Sequence, residues 1–481
     1  MNLGQRVIRA MGWSAAVKVG FQVITWAMTL AVIRVLSPDD YGLMALSMVC
    51  INLLAGFCNL GLGDALVQRE HAPKPLVASV FGLLLLISVA LTVLMSMAAY
   101  PIATWYDEPR LVDLLQVASL GFLLNGLTTI PRMHLVKSLR VRPMFVMEFS
   151  SGLAGSVAVI VLAYLGYGVW ALMAGWLLGT LVRAAGFAVL AREYWVWPSF
   201  RFALVRPLLP YGAFRTLDYL AWMSLTSADV LVIGWWLGPA DLGLYSVALN
   251  FAGMPLNKIA PIVNSVAFPA FALVQGNRSE AQSYALKAMR LMAMVAVPVF
   301  FGISAIAPEI VDLVFGPQWT AAIPMLALLA LAMTFRAILL VVPNFLQGIG
   351  DARAGFWCTL SGAVLFPPAF IIGAAWGVEG VCYALLLGHP VVFGINAWIA
   401  ARWGGLDLSA LLLTPLRPMA AGVAMVLAVS ALRPWLHGPE AVRTAALIAA
   451  GSVVYIGVLT MAFRSWAVEF ISLADICRSR A

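Results

Sequence analysis

The sequence Leu36-Ser-Pro-Asp-Asp-Tyr-Gly-Leu43 recurs 201 residues later as Leu237-Gly-Pro-Ala-Asp-Leu-Gly-Leu244. Five of the eight positions are identical, and each copy stands between two long apolar stretches. Proline and glycine are the residues that most often end helices and form turns, so both copies are predicted to be turns between helices. The repetition predicts that the chain contains two equivalent halves.

The composition identifies the solvent in which these halves fold. Of the 481 residues, 63% are apolar and only 10% are charged. A soluble domain usually has about 45–50% apolar and about 25% charged residues, because charges have to cover its surface. The composition therefore excludes a soluble enzyme, a disordered chain and a nucleic-acid-binding domain. It is typical of a protein that crosses a membrane many times.

We predict about fourteen membrane-spanning helices, because each span takes about 20 apolar residues and lipid leaves no partner for free backbone groups. They cover 13–35, 43–66, 76–99, 114–132, 144–165, 168–191, 211–237, 244–268, 288–307, 321–347, 355–376, 378–401, 415–434 and 444–463. The two repeats lie six spans apart, and this even number keeps their orientation, so the halves are predicted to be parallel. Pro131 and Pro343 match in the same way at an offset of 212.

The predicted fold is therefore an all-α polytopic membrane protein with two parallel six-helix lobes around a central cavity and two extra C-terminal helices. The predicted divisions are an N-terminal lobe over 1–200, a C-terminal lobe over 201–405, and two additional helices with a cytoplasmic tail over 406–481. Most of the 29 Lys and Arg residues fall on one side of this layout. Because basic residues mark cytoplasmic segments, both termini are predicted to be cytoplasmic.

Three segments carry a resemblance to a known family. Arg34-Val-Leu-Ser-Pro-Asp-Asp-Tyr-Gly-Leu43 and Asn59-Leu-Gly-Leu-Gly-Asp-Ala-Leu-Val-Gln68 resemble the polysaccharide transporter family, the Wzx-type flippases, and Leu346-Gln-Gly-Ile-Gly-Asp-Ala-Arg353 is similar to a cytoplasmic turn of that family. The larger superfamily includes multidrug extruders and lipid II flippases. The resemblance implies twelve core helices and movement of a polyprenyl-diphosphate-linked oligosaccharide across a bacterial inner membrane. The pathways implied are lipopolysaccharide, capsule or exopolysaccharide synthesis, with a polymerase and assembly proteins as further partners.

Charged residues inside the predicted spans are candidate functional residues. A charge at the bilayer centre costs about 2.5–3.5 kcal/mol on insertion scales, so it should face a wet cavity or a partner. On span 7, Arg215 and Asp218 lie one helical turn apart and are expected to pair, and Asp229 continues the same polar stripe. Lys258 lies near the middle of span 8, and Arg336 lies in the middle of span 10.

A diphosphate substrate would need cationic partners in the cavity, and Arg suits bidentate phosphate contacts. We predict that Arg215, Lys258 and Arg336 bind the headgroup or sugars, with Lys18 and Arg34 of span 1 as weaker candidates. Asp218 and Asp229 are candidates for binding a coupling proton or sodium ion. The alternatives for these charges are structural ion pairs and side chains that reach the membrane surface.

Two other functions remain open at this stage. An ion-coupled multidrug or cation extruder would share the fold, although such proteins usually bind cationic drugs through acidic groups. A membrane-embedded polysaccharide polymerase or ligase would need a large outer loop, and the longest predicted outer loop, at about 100–113, is too short. The five cysteines and four histidines have no metal-ligand spacing, so neither a metal nor another cofactor is predicted, and the protein is not expected to be an enzyme.

Overall fold

A computed structural model of the chain describes residues 27–59, 61–68, 73–138, 141–194, 196–273 and 277–462. Within these residues the secondary structure is helical, and no strand occurs. A short helical segment over 27–35 leads into helices α1 (Pro38–Asn59), α2 (Leu62–Gln68), α3 (Lys74–Trp105), α4 (Leu111–Lys137), α5 (Val141–Tyr164), α6 (Val169–Leu190), α7 (Leu209–Trp236) and α8 (Pro239–Leu273). They are followed by α9 (Arg278–Ala305), α10 (Ala307–Ile310), α11 (Ile323–Leu339), α12 (Val341–Gly348), α13 (Ala352–Ala374), α14 (Gly377–Gly404), α15 (Leu408–Leu413), α16 (Leu416–Leu432) and α17 (Glu440–Ala462).

Eleven helical stretches in the described part of the chain are long and apolar enough to cross a membrane. Two of them contain more than one labelled helix: Pro317–Gly348 contains α11 and α12, and Leu408–Trp435 contains α15 and α16. Two further helices, α7 and α8, occupy predicted spans 7 and 8. Predicted span 1 lies mostly outside the described residues, so the number fourteen stays a prediction. The chain is an all-α polytopic membrane protein.

The chain divides into two compact units, and the division runs through α7. The first unit contains Met1–Met223 and Gly238–Gly243, and the second contains Ser224–Leu237 and Leu244–Ala481. Helix α7 therefore begins in one unit and ends in the other. The predicted lobe boundaries after residues 200 and 405 stay predictions.

The first copy of the repeat is a helix N-terminus. Ser37 Oγ accepts a hydrogen bond from the Asp40 N–H at 3.3 Å, and Asp40 Oδ2 accepts one from the Ser37 N–H at 3.0 Å. This reciprocal pair is a capping box, and Pro38 takes the first helical position, where a missing N–H costs nothing. Because these three residues start the helix, α1 begins five residues before the predicted start of span 2.

The two copies of the repeat meet within the first unit through their glycines. A Cβ atom added to Gly42 would lie 1.7 Å from the Pro239 carbonyl oxygen, and one added to Gly243 would lie 1.7 Å from the Pro38 carbonyl oxygen. The glycine of each copy thus faces the proline of the other copy. Only glycine allows this approach, because any side chain would force the two backbones apart.

Predicted span 10 lies within one long apolar helical stretch, Pro317–Gly348, in which the α-helix is interrupted once. Helix α11 ends at Leu339 and α12 begins at Val341, whereas α4 runs without a break through Pro131. Pro343 lacks the N–H that would bond to the Leu339 carbonyl, and its ring crowds the same carbonyl. The break therefore follows directly from Pro343, and it lies one turn beyond Arg336.

The two C-terminal helices pack on α9 inside the second unit. Val297 and Phe301 of α9 share an apolar cluster with Met425 of α16 and Leu459 of α17. Tyr455 Oη donates a hydrogen bond to the Met294 carbonyl oxygen at 3.1 Å. Helices α16 and α17 are thus a packed part of this unit.

Candidate functional site

A buried polar cluster lies inside the second unit, where four helices contribute one side chain each. Asp229 comes from α7, Tyr245 from α8, Arg336 from α11 and His389 from α14. Apart from Arg336, these side chains are almost completely buried. Polar groups at this depth need hydrogen-bond partners, because leaving one unpaired costs about 1–3 kcal/mol.

The Asp229 carboxylate has two such partners. Tyr245 Oη donates a hydrogen bond of 2.5 Å to Asp229 Oδ2, and the Val230 N–H donates one of 2.9 Å to Oδ1. Hydrogen bonds to a charged acceptor are short and about twice as strong as those between neutral groups. Tyr245 therefore fixes the position of the carboxylate and joins α7 to α8.

Arg336 occupies a different position from the other members of the cluster. Its side chain is only partly buried. Its charge acts on Asp229, Tyr245 and His389. Among the described residues it forms no ion pair. A guanidinium has five N–H donors, so Arg336 has the capacity to bind an anion.

His389 completes the cluster on the side of α14. Its Nδ1 lies 2.7 Å from the Leu385 carbonyl oxygen, and its ring lies 4.9 Å from the Phe366 ring. One ring nitrogen is thus held by the preceding turn of the same helix, where Nδ1–H donates to a carbonyl. No group of three or more His, Cys, Asp or Glu side chains among the described residues is arranged to hold a metal ion.

Among the predicted site residues, the structure brings Asp229 and Arg336 together. Lys258 is exposed on α8, and Arg34 is exposed on the helical segment before α1. Lys18 and the side chains of Arg215 and Asp218 lie outside the described residues, so the predicted pair on α7 stays a prediction. The cluster therefore joins one candidate cation to one candidate acid.

Sequence reasoning missed Tyr245 and His389. Tyr245 directly follows the second copy of the repeat, and His389 stands beside Pro390 in an apolar helix. A tyrosine sixteen residues after an aspartate has no helical periodicity with it. Only the hydrogen bond in the folded chain shows that the two side chains meet.

The chain is similar to known proteins along most of its length. Residues 31–324 match the family model described as "Polysaccharide biosynthesis protein". The succinoglycan biosynthesis transport protein ExoT of Rhizobium meliloti (strain 1021) is 29% identical over 99% of this chain and 97% of its own length. The lipopolysaccharide biosynthesis protein WzxC of Escherichia coli (strain K12) is 26% identical over 80% of this chain and 79% of its own length.

A solved structure shares the fold. The lipid II flippase MurJ, in an inward closed conformation, superposes with a TM-score of 0.75 and 14% identity. The match covers 94% of this chain and 99% of that one. Almost the whole helical architecture is therefore common to the two proteins.

Proposed function

Because the chain belongs to the polysaccharide biosynthesis protein family, we propose that it moves a polyprenyl-diphosphate-linked oligosaccharide across a bacterial inner membrane by alternating access. The observation that carries this proposal is the match with a transport protein of succinoglycan biosynthesis along almost the whole of both chains. The protein is thus a transporter rather than an enzyme. Its product would serve lipopolysaccharide, capsule or exopolysaccharide synthesis, in which a polymerase and assembly proteins are further proposed partners.

Arg336 is the proposed contact for the anionic part of this substrate in the second unit. Its position supports the role, because Arg336 is partly accessible and forms no ion pair among the described residues that a diphosphate would have to replace. Arg215, Lys258, Lys18 and Arg34 remain proposed contacts for the same headgroup or its sugars.

Asp229 is proposed to bind a coupling proton or sodium ion, and so is Asp218. For Asp229 the hydrogen bonds from Tyr245 and Val230 support a second reading, in which the carboxylate holds α7 on α8. If transport depends on the proton or sodium gradient and Asp229→Asn abolishes this dependence, Asp229 binds the coupling ion. If the dependence is unchanged in Asp229→Asn, the role of Asp229 is structural. We further propose that both termini are cytoplasmic, which reporter fusions to each end would test.

The first experiment is depletion of the protein in its host, followed by mass spectrometry of the lipid extract. We expect a complete but unpolymerised diphosphate-linked oligosaccharide to accumulate, accessible only from the cytoplasmic face. Unchanged lipid-linked sugars together with increased drug sensitivity would contradict the proposal and favour a multidrug extruder.

The second experiment replaces Arg336 in the depleted host. We expect Arg336→Gln to lower transport about tenfold or more, since a hydrogen bond to a charged group contributes about 1.5–3 kcal/mol. Arg336→Lys should restore only part of the activity, because Lys cannot bind a diphosphate bidentately.

Arg183 supplies the matched control for this experiment. It belongs to α6 and is partly exposed, and its Nη1 lies 3.7 Å from Glu148 Oε2. Because it already has an acidic partner, Arg183→Gln should leave transport unchanged. Equal losses in the two variants would show that Arg336 has no special role.

A further inference from the structure

An apolar groove of about 550 Å³ lies on the second unit between α13 and α14. It is lined by Trp357 and Val364 of α13 and by Trp398 and Trp403 of α14, among other residues. Trp357 and Trp398 are about half exposed, so no described part of the chain covers the groove. Ser361 lines it as well, but its hydroxyl is turned to the Cys358 carbonyl and to Asn396. The surface that remains is apolar and largely aromatic.

One end of the groove carries exposed arginines. Arg353 precedes Trp357 by one turn of α13, and Arg402 is next to Trp403 on α14. The third is Arg278 of α9, whose Nη2 donates a hydrogen bond of 3.2 Å to the Trp403 carbonyl oxygen. All three side chains are exposed. They lie at the helix ends that we predict to be cytoplasmic.

These arginines have no acidic partners in the described part of the chain, where none of them forms an ion pair. Two carboxylates close to them in sequence are already engaged. Asp351 Oδ1 accepts a hydrogen bond from the Ala354 N–H, and Asp407 Oδ1 accepts from both the N–H and the hydroxyl of Ser409. A cationic end on an apolar groove is complementary to a molecule with an anionic head and a hydrocarbon chain.

We propose that this groove binds the isoprenoid chain of the lipid-linked substrate, with the phosphate next to Arg353 and Arg402. The proposal rests on the proposed function and adds a site for the lipid to it. The groove is large enough for the part of the chain next to the phosphate, since ligand sites commonly measure about 300–1,000 Å³. The remainder of the chain stays in the bilayer.

Charge and ring chemistry favour a polyprenyl chain over a phospholipid as the occupant. Tryptophan rings at three points of one groove suit the planar alkene units and methyl branches of a single isoprenoid chain. A phosphate held by two or three arginines is held more firmly by a phosphate monoester or diphosphate than by a phosphodiester, because its charge is larger.

The test uses the full-length protein in phosphatidylcholine nanodiscs. The probe is a polyprenyl phosphate with a diazirine on the chain near the phosphate, and adducts are mapped by peptide mass spectrometry. We expect adducts on 357–365 and 395–403. Unlabelled polyprenyl phosphate should compete for these adducts, whereas phosphatidylglycerol at the same concentration should not.

Variants locate the two parts of the interaction. Val364→Trp fills the groove and should lower the labelling to background, and Arg353→Gln and Arg402→Gln should each lower it about fivefold. Val453→Trp on α17 is the matched control, because Val453 is exposed to a similar extent and lies far from the groove in sequence. Its labelling should equal that of the unchanged protein.

Several results would overturn the proposal. Adducts confined to other helices would do so, and equal competition by phosphatidylglycerol would show a general lipid site. Labelling that survives in Val364→Trp would also contradict it. These results leave the depletion experiment untouched, since accumulation of lipid-linked sugar tests transport whether or not this groove holds the chain.

Discussion

Two arginines at helix ends make the same kind of contact in the two units, with different burial. In the first unit, Arg110 binds both carboxylate oxygens of Glu108 at 2.6 and 2.9 Å and reaches Asp39 at 2.6 Å. In the second unit, Arg433 binds both oxygens of Glu309 at 2.8 and 3.1 Å and also donates to the Ala305 carbonyl.

The difference lies in the carboxylates and in what they join. The Glu309 side chain is 2% exposed, whereas Glu108 is 13% and Asp39 is 33% exposed. Arg433 joins the end of α16 to α10, so it holds one of the two C-terminal helices on the rest of its unit. Arg110 joins a loop to the start of α1. Geometry alone would rate the two contacts as equal, and burial separates them.

The largest expected effect is that of Arg433→Ala. Removing this cation leaves the Glu309 carboxylate buried without a charged partner, and breaking a buried pair in this way costs about 3–5 kcal/mol. We expect the free energy of unfolding in detergent micelles to fall by about 3 kcal/mol, the lower end, because Arg433 itself is one-third exposed.

A double variant tests whether the unpaired Glu309 carboxylate causes this loss of stability. The double variant Arg433→Ala/Glu309→Leu removes the buried carboxylate as well, so it should recover most of the lost stability. A double variant as unstable as Arg433→Ala would show that packing, and not the buried charge, causes the loss.

The next effect is that of Tyr245→Phe. This change removes the hydrogen bond to the buried Asp229 carboxylate, which should cost about 1.5–3 kcal/mol. Tyr219→Phe in the first unit is the matched control, because Tyr219 donates to a neutral carbonyl of Asn52 at 2.9 Å and should cost about 0.5–1.5 kcal/mol. Equal losses in thermal denaturation would contradict a charged, buried acceptor at Asp229.

The smallest effect is expected for Arg110→Ala. An exposed ion pair contributes about 0–1 kcal/mol, and salt screens it. The Arg110 guanidinium lowers the pKa of Glu108 by hydrogen bonding, so this contribution is present above the ordinary pKa of Glu and is lost as the pH falls through the lowered pKa. A loss comparable with that of Arg433→Ala would remove the distinction between the two contacts.

Local signals in the sequence were sufficient for most of the fold. Apolar runs of the required length predicted the spans. The start of α1 also has a local cause, a serine, a proline and an aspartate in the order of a capping box, although we predicted a turn there and a span only from residue 43. The interruption after Leu339 also has a local cause in Pro343. Each of these features depends on residues within one or two turns of each other.

The candidate site could be predicted only in part, because its contacts join residues far apart in the chain. An aspartate and an arginine inside apolar runs indicated Asp229 and Arg336, since charges in the membrane need a reason. Nothing local connected them with Tyr245 or His389. Likewise, nothing local in the sequence connects Glu148 with Arg183 of the next helix, with which it forms an ion pair.

The contact between the two copies of the repeat has a consequence for biosynthesis. The first unit is completed by Gly238–Gly243, which the ribosome makes only after the whole of α7. Domains generally fold in order from the N-terminus during synthesis. Here, however, the first unit lacks the segment that contacts Gly42 until part of the second unit has been synthesised.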